Sequence, residues 1–289
     1  MDVPAPAPEP TPAPPKWRRP ALVAASACWA LLLVVLTGLS IRDDEPTVRE
    51  QRDIVQARPV VERTLGHLVA AAAGPEAVLE LGDLWHEECK VNPVLTGARL
   101  RGELIVRTAG EDVRPVLESV ARRLPAEYRA GVGNGINGVR LRADAGEFVS
   151  VRGVPDGPGR AIFSVDTGCR VVPADADLDA HLLPDTARER DLWMALWTLD
   201  RDSAEIGARV WVPCPDPRTT VRRQHLFVAG DPVTAPGAAL AALRTAETTV
   251  VVDEPDLYAA RTGPVNLVAR TVDGQTRLSV TLDCTQPMD

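Results

Sequence analysis

Lysine and aromatic residues are scarce in this chain of 289 residues. Of its 32 basic side chains only Lys16 and Lys90 are lysines, and aromatic residues make up 4% of the sequence. Hydrophobic residues of all kinds reach 45%, which is enough to form a core. Because so few of them are aromatic, aliphatic side chains have to fill that core.

The sequence also lacks the short motifs of common hydrolases. There is no G-x-S-x-G, no H-E-x-x-H and no S-x-x-K. Only four histidines occur, and none stands near a serine or an acid in a pattern typical of a catalytic triad. We therefore assign no catalytic residue.

Two local patterns contain the residue types of a binding site in an unsuitable setting. Gly133–Gly138 ("GNGING") satisfies G-x-G-x-x-G, but it follows a predicted helix and precedes a predicted strand, the reverse of a dinucleotide site. Trp85–Cys89 ("WHEEC") groups a histidine, two glutamates and a cysteine. Adjacent residues of a strand point to opposite faces, so these side chains cannot converge on one ion. We expect no cofactor and no metal.

The amino-terminal region predicts a membrane anchor. Residues 1–20 contain eight prolines, which is typical of a disordered tail. Residues 21–41 carry no charge and, as a helix, would span about 31 Å, close to the thickness of a bilayer core. Basic residues precede this stretch and "RDDE" follows it, which places the tail in the cytoplasm and the rest of the chain outside. A cleaved signal peptide is the alternative.

Beyond the anchor, acidic residues exceed basic ones. Residues 42–289 hold 29 of the 32 basic and 38 of the 40 acidic side chains. This balance argues against nucleic acid as a partner, because neutralising phosphates requires positive charge. The membrane, through residues 21–41, is one expected partner, and a cell-wall polymer or another envelope protein is the other. The oligomeric state stays open.

Four cysteines beyond the anchor predict two disulfide bonds. An even number in an exported region, with no C-x-x-C pair, favours disulfides over a metal site. Two stretches, "FSVDTGC" and "LSVTLDC", end in cysteines at similar positions and indicate an internal repeat. We expect Cys89 to pair with Cys169 and Cys214 with Cys284, one bond per repeat. The two other pairings stay open at this point.

Each repeat is predicted to be a β-α-β-β unit with a leading helix, in an α+β fold with antiparallel sheets. The first repeat is assigned to residues 64–174 and the second to 175–289. Residues 42–63 are predicted to be a juxtamembrane helix and linker, broken near Pro59. Within the repeats the spacing of apolar residues predicts helices over residues 111–124 and 236–246.

Arginines alternate with apolar residues along several predicted strands of the first repeat. If these strands are neighbours, the arginines line one exposed sheet face that could bind carboxylate or phosphate groups. The alternative is a solvated face balanced by Glu103, Asp144 and Glu147. The arginines of the candidate anion-binding face are Arg99, Arg101, Arg107, Arg140, Arg142 and Arg152.

The stretches "LRADAGEFVSVRG", "TGC" and "LDC" carry a family resemblance. The chain resembles single-pass, membrane-anchored exported proteins of high-GC Gram-positive bacteria, whose genomes also favour arginine over lysine. The resemblance covers only the region beyond the anchor. It implies no particular activity and so assigns no catalytic residue.

These patterns favour a membrane-anchored binding or scaffold module of the cell envelope without enzymatic activity. The alternative is an envelope hydrolase or transferase whose site lies between the two repeats. A cleft between the repeats that holds convergent acids or a histidine would favour this alternative.

Overall fold

The computed structural model describes residues 18–43, 52–136, 138–178, 190–199, 204–207 and 209–285. The chain divides into two compact units, Met1–Pro46 and Thr47–Asp289. The first unit contains helix α1 (Arg18–Asp43), and its described side chains are exposed. A membrane-spanning helix is not found among the residues that the structure describes. The proline-rich tail before Arg18 lies outside the described residues.

Two antiparallel sheets form most of the second unit. The strands of the first sheet are β1 (Ala77–Asn92), β2 (Leu95–Thr108), β3 (Gly131–Gly135), β4 (Gly138–Asp144), β5 (Ser150–Pro155) and β6 (Arg160–Asp166). The strands of the second sheet are β7 (Ala204–Ile206), β8 (Val210–Pro213), β9 (Thr220–Val228), β10 (Thr248–Asp253), β11 (Leu257–Thr262), β12 (Val265–Val272) and β13 (Gln275–Leu282). The predicted α+β fold with antiparallel sheets is therefore confirmed.

The two sheets have the same topology. The order is β1-β2-β6-β5-β4-β3 in the first and β7-β9-β13-β12-β11-β10 in the second, with β8 also paired to β9. Strands β7 and β8 together take the place of β1, which itself has an irregularity between Leu81 and Leu84. The helices also correspond. They are α2 (Ile54–Ala72), α3 (Arg114–Arg123), α4 (Arg190–Thr198) and α5 (Pro236–Ala239). This agreement is consistent with two repeats.

Each repeat contains one disulfide bond at the same place in its sheet. The bonds join Cys89 to Cys169 and Cys214 to Cys284, with Cα atoms 5.9 and 5.7 Å apart. Each bond ties the edge strand to the segment after the last strand, and the predicted pairing is confirmed. The sequence separations of 80 and 70 residues correspond to roughly 4–5 kcal/mol of lost unfolded-chain entropy per bond.

Helix α2 differs from its prediction, because it runs without a break through Pro59. The side chain of Asp53 caps it by accepting a hydrogen bond of 2.8 Å from the backbone N–H of Gln56. Ile54 and Val61 are buried in the core of the first repeat. The proline costs one backbone hydrogen bond, and this packing offsets it. Residues 54–63 are therefore helical and packed in a hydrophobic core.

The repeat unit contains more strands than the predicted β-α-β-β pattern. Strand β1 precedes the helix, and β3 and β11 are added to the strands after it. Strand β3 is rich in glycine and has no alternation of apolar side chains, so only its backbone pairing with β4 defines it. The predicted helix over residues 236–246 is reduced to α5 and a 3₁₀ turn over Ala241–Leu243.

Helix α2 packs against both repeats. It lies on the first sheet, and its residues share a hydrophobic cluster with Val210 and Val212 of the second repeat. At Gly66 the helix passes so close to β8 that an added Cβ would overlap the carbonyl oxygen of Pro213. The sulfur of Cys284 lies 3.7 Å from the Gly66 carbonyl oxygen, so the second disulfide also packs here.

The edge of the first sheet lies against one face of the second sheet. The backbone N–H of Leu79 in β1 donates a 3.0 Å hydrogen bond to Oδ1 of Asn266, and that of Leu81 donates a 3.2 Å bond to Oγ1 of Thr281. Both donors are buried and would otherwise lack a partner, because β1 has a neighbour on one side only. Side chains from the second repeat thus complete the edge strand of the first.

We predict that Gly66→Ala destabilises the protein. Alanine favours a helix over glycine by up to about 1 kcal/mol, but the new Cβ meets backbone atoms that have no rotamer to change. We expect a net loss of about 1–3 kcal/mol in the free energy of unfolding, measured by urea denaturation.

Gly110→Ala is the matched control, because nothing lies within 4 Å of the Cβ it would add. Its effect should stay within about 0.5 kcal/mol. Equal stabilities for the two variants would contradict the close packing of α2 on β8.

Candidate functional site

The first sheet has one face covered by helices and one face turned away from them. Leu100 and Leu104 of β2 and Leu141 of β4 point into the core beneath α2 and α3. The predicted arginines alternate with these residues and so occupy the opposite face. Strands β4 and β5 are direct neighbours, whereas β6 separates β5 from β2. The arginines therefore form two groups rather than one.

The arginines of β2 are paired with acids. Nε of Arg101 lies 2.7 Å from Oδ2 of Asp166, and its Nη1 lies 3.6 Å from Glu87. Nε of Arg99 lies 3.6 Å from Oδ1 of the same aspartate. Charge on this part of the face is therefore balanced, as in the alternative prediction, but by Asp166 and Glu87 rather than by Glu103, Asp144 and Glu147.

Arg107 lies on the same face but at an end that is buried, so its prediction as an exposed residue was wrong. It alternates correctly with Arg99 and Arg101, but β10 and β12 of the second repeat lie against this end of the sheet. Its side chain is 3% exposed, and its Nη1 lies 2.9 Å from Oε2 of Glu80. Packing between the repeats decides this burial, and the alternation within one strand carries no signal of it.

Arg140, Arg142 and Arg152, here called the arginine cluster, form the second group. Arg142 and Arg152 are direct cross-strand neighbours of like charge. Arg140 is two residues from Arg142 on the same face of β4. Asp144, at the end of β4, lies 2.7 Å from Arg129. The cluster therefore concentrates positive charge.

A cavity of about 210 Å³ lies among these side chains. Arg152 is exposed, while Arg140 and Arg142 are half-buried. The cavity is lined by Gly138, Val139, Arg140, Leu141, Arg142, Arg152 and Val154. An open, partly apolar recess with guanidinium groups at its wall can hold an anion.

Glycines in β3 leave space beside the cluster. The guanidinium of Arg140 lies over Gly135, where an added Cβ would be 2.6 Å from its Cζ atom. Gly133 has nothing within 4 Å of its added Cβ, so this strand presents a flat surface. The G-x-G-x-x-G stretch is thus a β-hairpin formed by β3 and β4, and it opens no helix.

The second repeat uses the equivalent positions differently. In the first sheet the cross-strand neighbours of Arg152 are Arg142 and Ser164. In the second sheet the residue at the equivalent position is Val268, and its cross-strand neighbours are Ala259 and Ser279. Val268 and Ala259 are 1% and 0% exposed and pack with Val78 of β1. The face is thus apolar in the second sheet, where β1 covers it. It is rich in arginine in the first sheet, where no described residue covers it.

A buried ionic network lies between the repeats, and no motif or spacing in the sequence predicts it. Glu80 of β1 contacts Arg107, and its Oε1 lies 3.8 Å from Nη2 of Arg270 in β12. Burial raises the pKa of Glu80, but the attraction of Arg107 and Arg270 outweighs it and leaves the pKa below its usual value. The carboxylate is charged, and its contact with Arg270 links the two sheets.

A second part of the network contains His225 of β9. Arg223 contacts Asp83 across the repeats and also donates to Nδ1 of His225. Nη2 of Arg277 lies 3.3 Å from the same nitrogen. Burial, then the charges of Arg223 and Arg277, lowers the pKa of His225 to about 3. The ring is therefore neutral, with its proton on Nε2.

A cavity of about 500 Å³ lies between the repeats, and no histidine lines it. It is lined by Ala73, Gly74, Pro75, Glu247, Thr249, Arg261, Gly263, Pro264 and Thr285. Nη2 of Arg261, the arginine that lines this cavity, lies 2.7 Å from Oδ2 of the buried Asp283. No group of three or more metal-binding side chains occurs in the described ranges, and in "WHEEC" the thiol of Cys89 is part of a disulfide.

No family model, curated protein or solved structure matches this chain.

We predict that Glu80→Gln destabilises the protein strongly. Removing the carboxylate leaves Arg107 buried without a counter-charge, which costs about 3–5 kcal/mol. Glu118→Gln is the control, because Glu118 pairs at 3.8 Å with Arg114 on an exposed helix surface. Its effect on the free energy of unfolding should be below about 1 kcal/mol. Equal losses in the two variants would contradict the buried network.

We predict a pH dependence of stability that originates at His225. Its pKa is about 3 in the folded protein and about 6.5 when unfolded, so only the unfolded state takes up the proton between these values. The free energy of unfolding should therefore fall with decreasing pH below about 6.5, by at most about 1.4 kcal/mol per unit.

Urea denaturation between about pH 6.5 and 5 avoids most carboxylate titration, and Glu103, whose pKa is raised by burial, would act in the opposite direction. His225→Gln should lose most of the slope. A smaller slope should remain, because burial and then Arg63 also lower the pKa of His67, and His67→Gln measures that part. An unchanged slope in His225→Gln would refute the assignment.

Proposed function

We propose that the protein is a membrane-anchored, extracytoplasmic binding module of the cell envelope with no enzymatic activity of its own. The membrane anchor remains a proposal, since no membrane-spanning helix is found among the described residues. The uncharged stretch of residues 21–41 supports it, since the stretch lies within α1 and its described apolar side chains are exposed. Basic residues before this stretch and acidic residues after it favour a cytoplasmic amino terminus.

The two disulfide bonds support an extracytoplasmic location for Thr47–Asp289. Such bonds form and persist in oxidising compartments and are rare in the cytosol. They close the edge of each sheet and stabilise a fold that has few aromatic side chains. The same feature suits a domain that has to stay folded at the cell surface.

The arginine cluster carries the binding function in this proposal. It is positive although the chain has a net charge of −8, so the positive charge is local rather than a general property of the surface. The anionic groups of a cell-wall polymer are its proposed ligands. Arg99 and Arg101 extend the face but are already paired with acids, and they contribute less.

The ionisable residues between the repeats have structural contacts, which also favours a binding module. Glu80 and His225 are buried and contact arginines, which leaves them in no position to meet a substrate. A hydrolase or transferase would need such groups at a cleft. The network therefore supports the binding module over the enzyme.

The test is binding of the full-length chain, in dodecyl maltoside, to a purified anionic wall polymer. We expect binding that weakens as salt rises, because screening reduces attraction between exposed charges. An uncharged polysaccharide of similar length is the control and should not bind. Absence of binding to the anionic polymer at low salt would overturn the proposed function.

A further inference from the structure

We infer that the arginine cluster is a site for one phosphate group, either of a polymer or of a lipid headgroup. This inference rests on the proposed function and narrows it, because an anion-binding face could equally take carboxylates. Arg140, Arg142 and Arg152 face one cavity of about 210 Å³, which is large enough for a phosphate and the groups attached to it. Two adjacent strands supply the three side chains.

The number of guanidinium groups favours phosphate over carboxylate. A carboxylate has two oxygens in one plane, and one guanidinium can satisfy them by a bidentate pair of hydrogen bonds. A phosphate directs its oxygens towards the corners of a tetrahedron and can accept from several guanidinium groups at once. Three arginines around one recess therefore match a phosphate better.

Electrostatics gives the site a reason to bind. Arg142 and Arg152 are cross-strand neighbours, so an anion bound between them is attracted by both guanidinium groups. The second repeat shows that the fold does not require arginine here, since Ala259 and Val268 occupy the equivalent positions. The neighbouring arginines are therefore specific to the first repeat.

Gly135 determines where the third guanidinium lies. Without a Cβ at this position, Arg140 can lie across β3 at the side of the cavity. Gly135→Ala would displace the guanidinium and leave the charge of the site unchanged. Gly133→Ala is its matched control, because the added Cβ meets nothing within 4 Å.

The experiment is calorimetric titration of the full-length chain in dodecyl maltoside, a detergent without phosphate. The phosphate probe is an oligomer of glycerol phosphate, and polyglutamate of equal charge is the carboxylate probe. Arg140→Gln and Arg152→Gln should each weaken binding of the oligomer about tenfold or more. Gly135→Ala should weaken it as well, whereas Gly133→Ala and Arg218→Gln, an exposed position of the second repeat, should not.

The outcomes separate this inference from the proposed function. Equal affinity for polyglutamate would overturn the phosphate site and leave an anion-binding module. Binding of the oligomer that is unchanged in the cluster variants would overturn the location of the site. Failure to bind any anionic polymer would overturn the proposed function itself.

A third probe distinguishes the two sources of phosphate. Glycerophosphoglycerol is the headgroup of a common anionic lipid without its acyl chains. Affinity per phosphate that is higher for the oligomer supports a polymer as the source. Cluster-dependent binding of glycerophosphoglycerol with no binding of the oligomer supports the phosphate site and assigns it to a lipid.

Discussion

The contact between the edge of β1 and the face of the second sheet determines the rest of this structure. A buried edge strand needs acceptors for its backbone N–H groups, and Asn266 and Thr281 provide them. The same contact buries Glu80, whose charge then requires Arg107 and Arg270 nearby. Two buried N–H groups of the first repeat thus have acceptors only when the second repeat is in place.

This contact is asymmetric. The first repeat covers the outer face of the second, whereas no described part of the second covers the equivalent face around Arg152. A duplicated fold therefore buries one copy of the face against protein and leaves the other copy without a described cover. The residues follow this difference, with Val268 in the covered copy and arginine in the other.

His225 shows why convergent polar residues do not by themselves indicate catalysis. It lies beside Asp83 and Arg223, residue types that are frequent in active sites. Burial and two guanidinium groups hold its ring neutral at physiological pH, and no described cavity opens onto it. Its position in a packed interface accounts for these features without a substrate.

Much of the local structure could be predicted from the sequence. The repeated endings and the cysteine spacing predicted both disulfide bonds, and alternation in β4 and β5 placed Arg140, Arg142 and Arg152 on one face. The face on which a strand residue lies follows from alternation along the strand, and the disulfide pairing follows from the internal repeat. Both can be recognised in the sequence. The glycine-rich β3 could not be predicted, since backbone pairing alone defines it.

The sequence by itself determined which residues alternate, which cysteines bracket each repeat and which stretch is uncharged. Only the tertiary structure decided that Arg107 is buried while Arg152 is exposed, although both alternate in the same way along their strands. The physical reason is that burial depends on which surfaces meet. The meeting of β1 with a sheet about 190 residues further along the chain leaves no periodic signal in either segment.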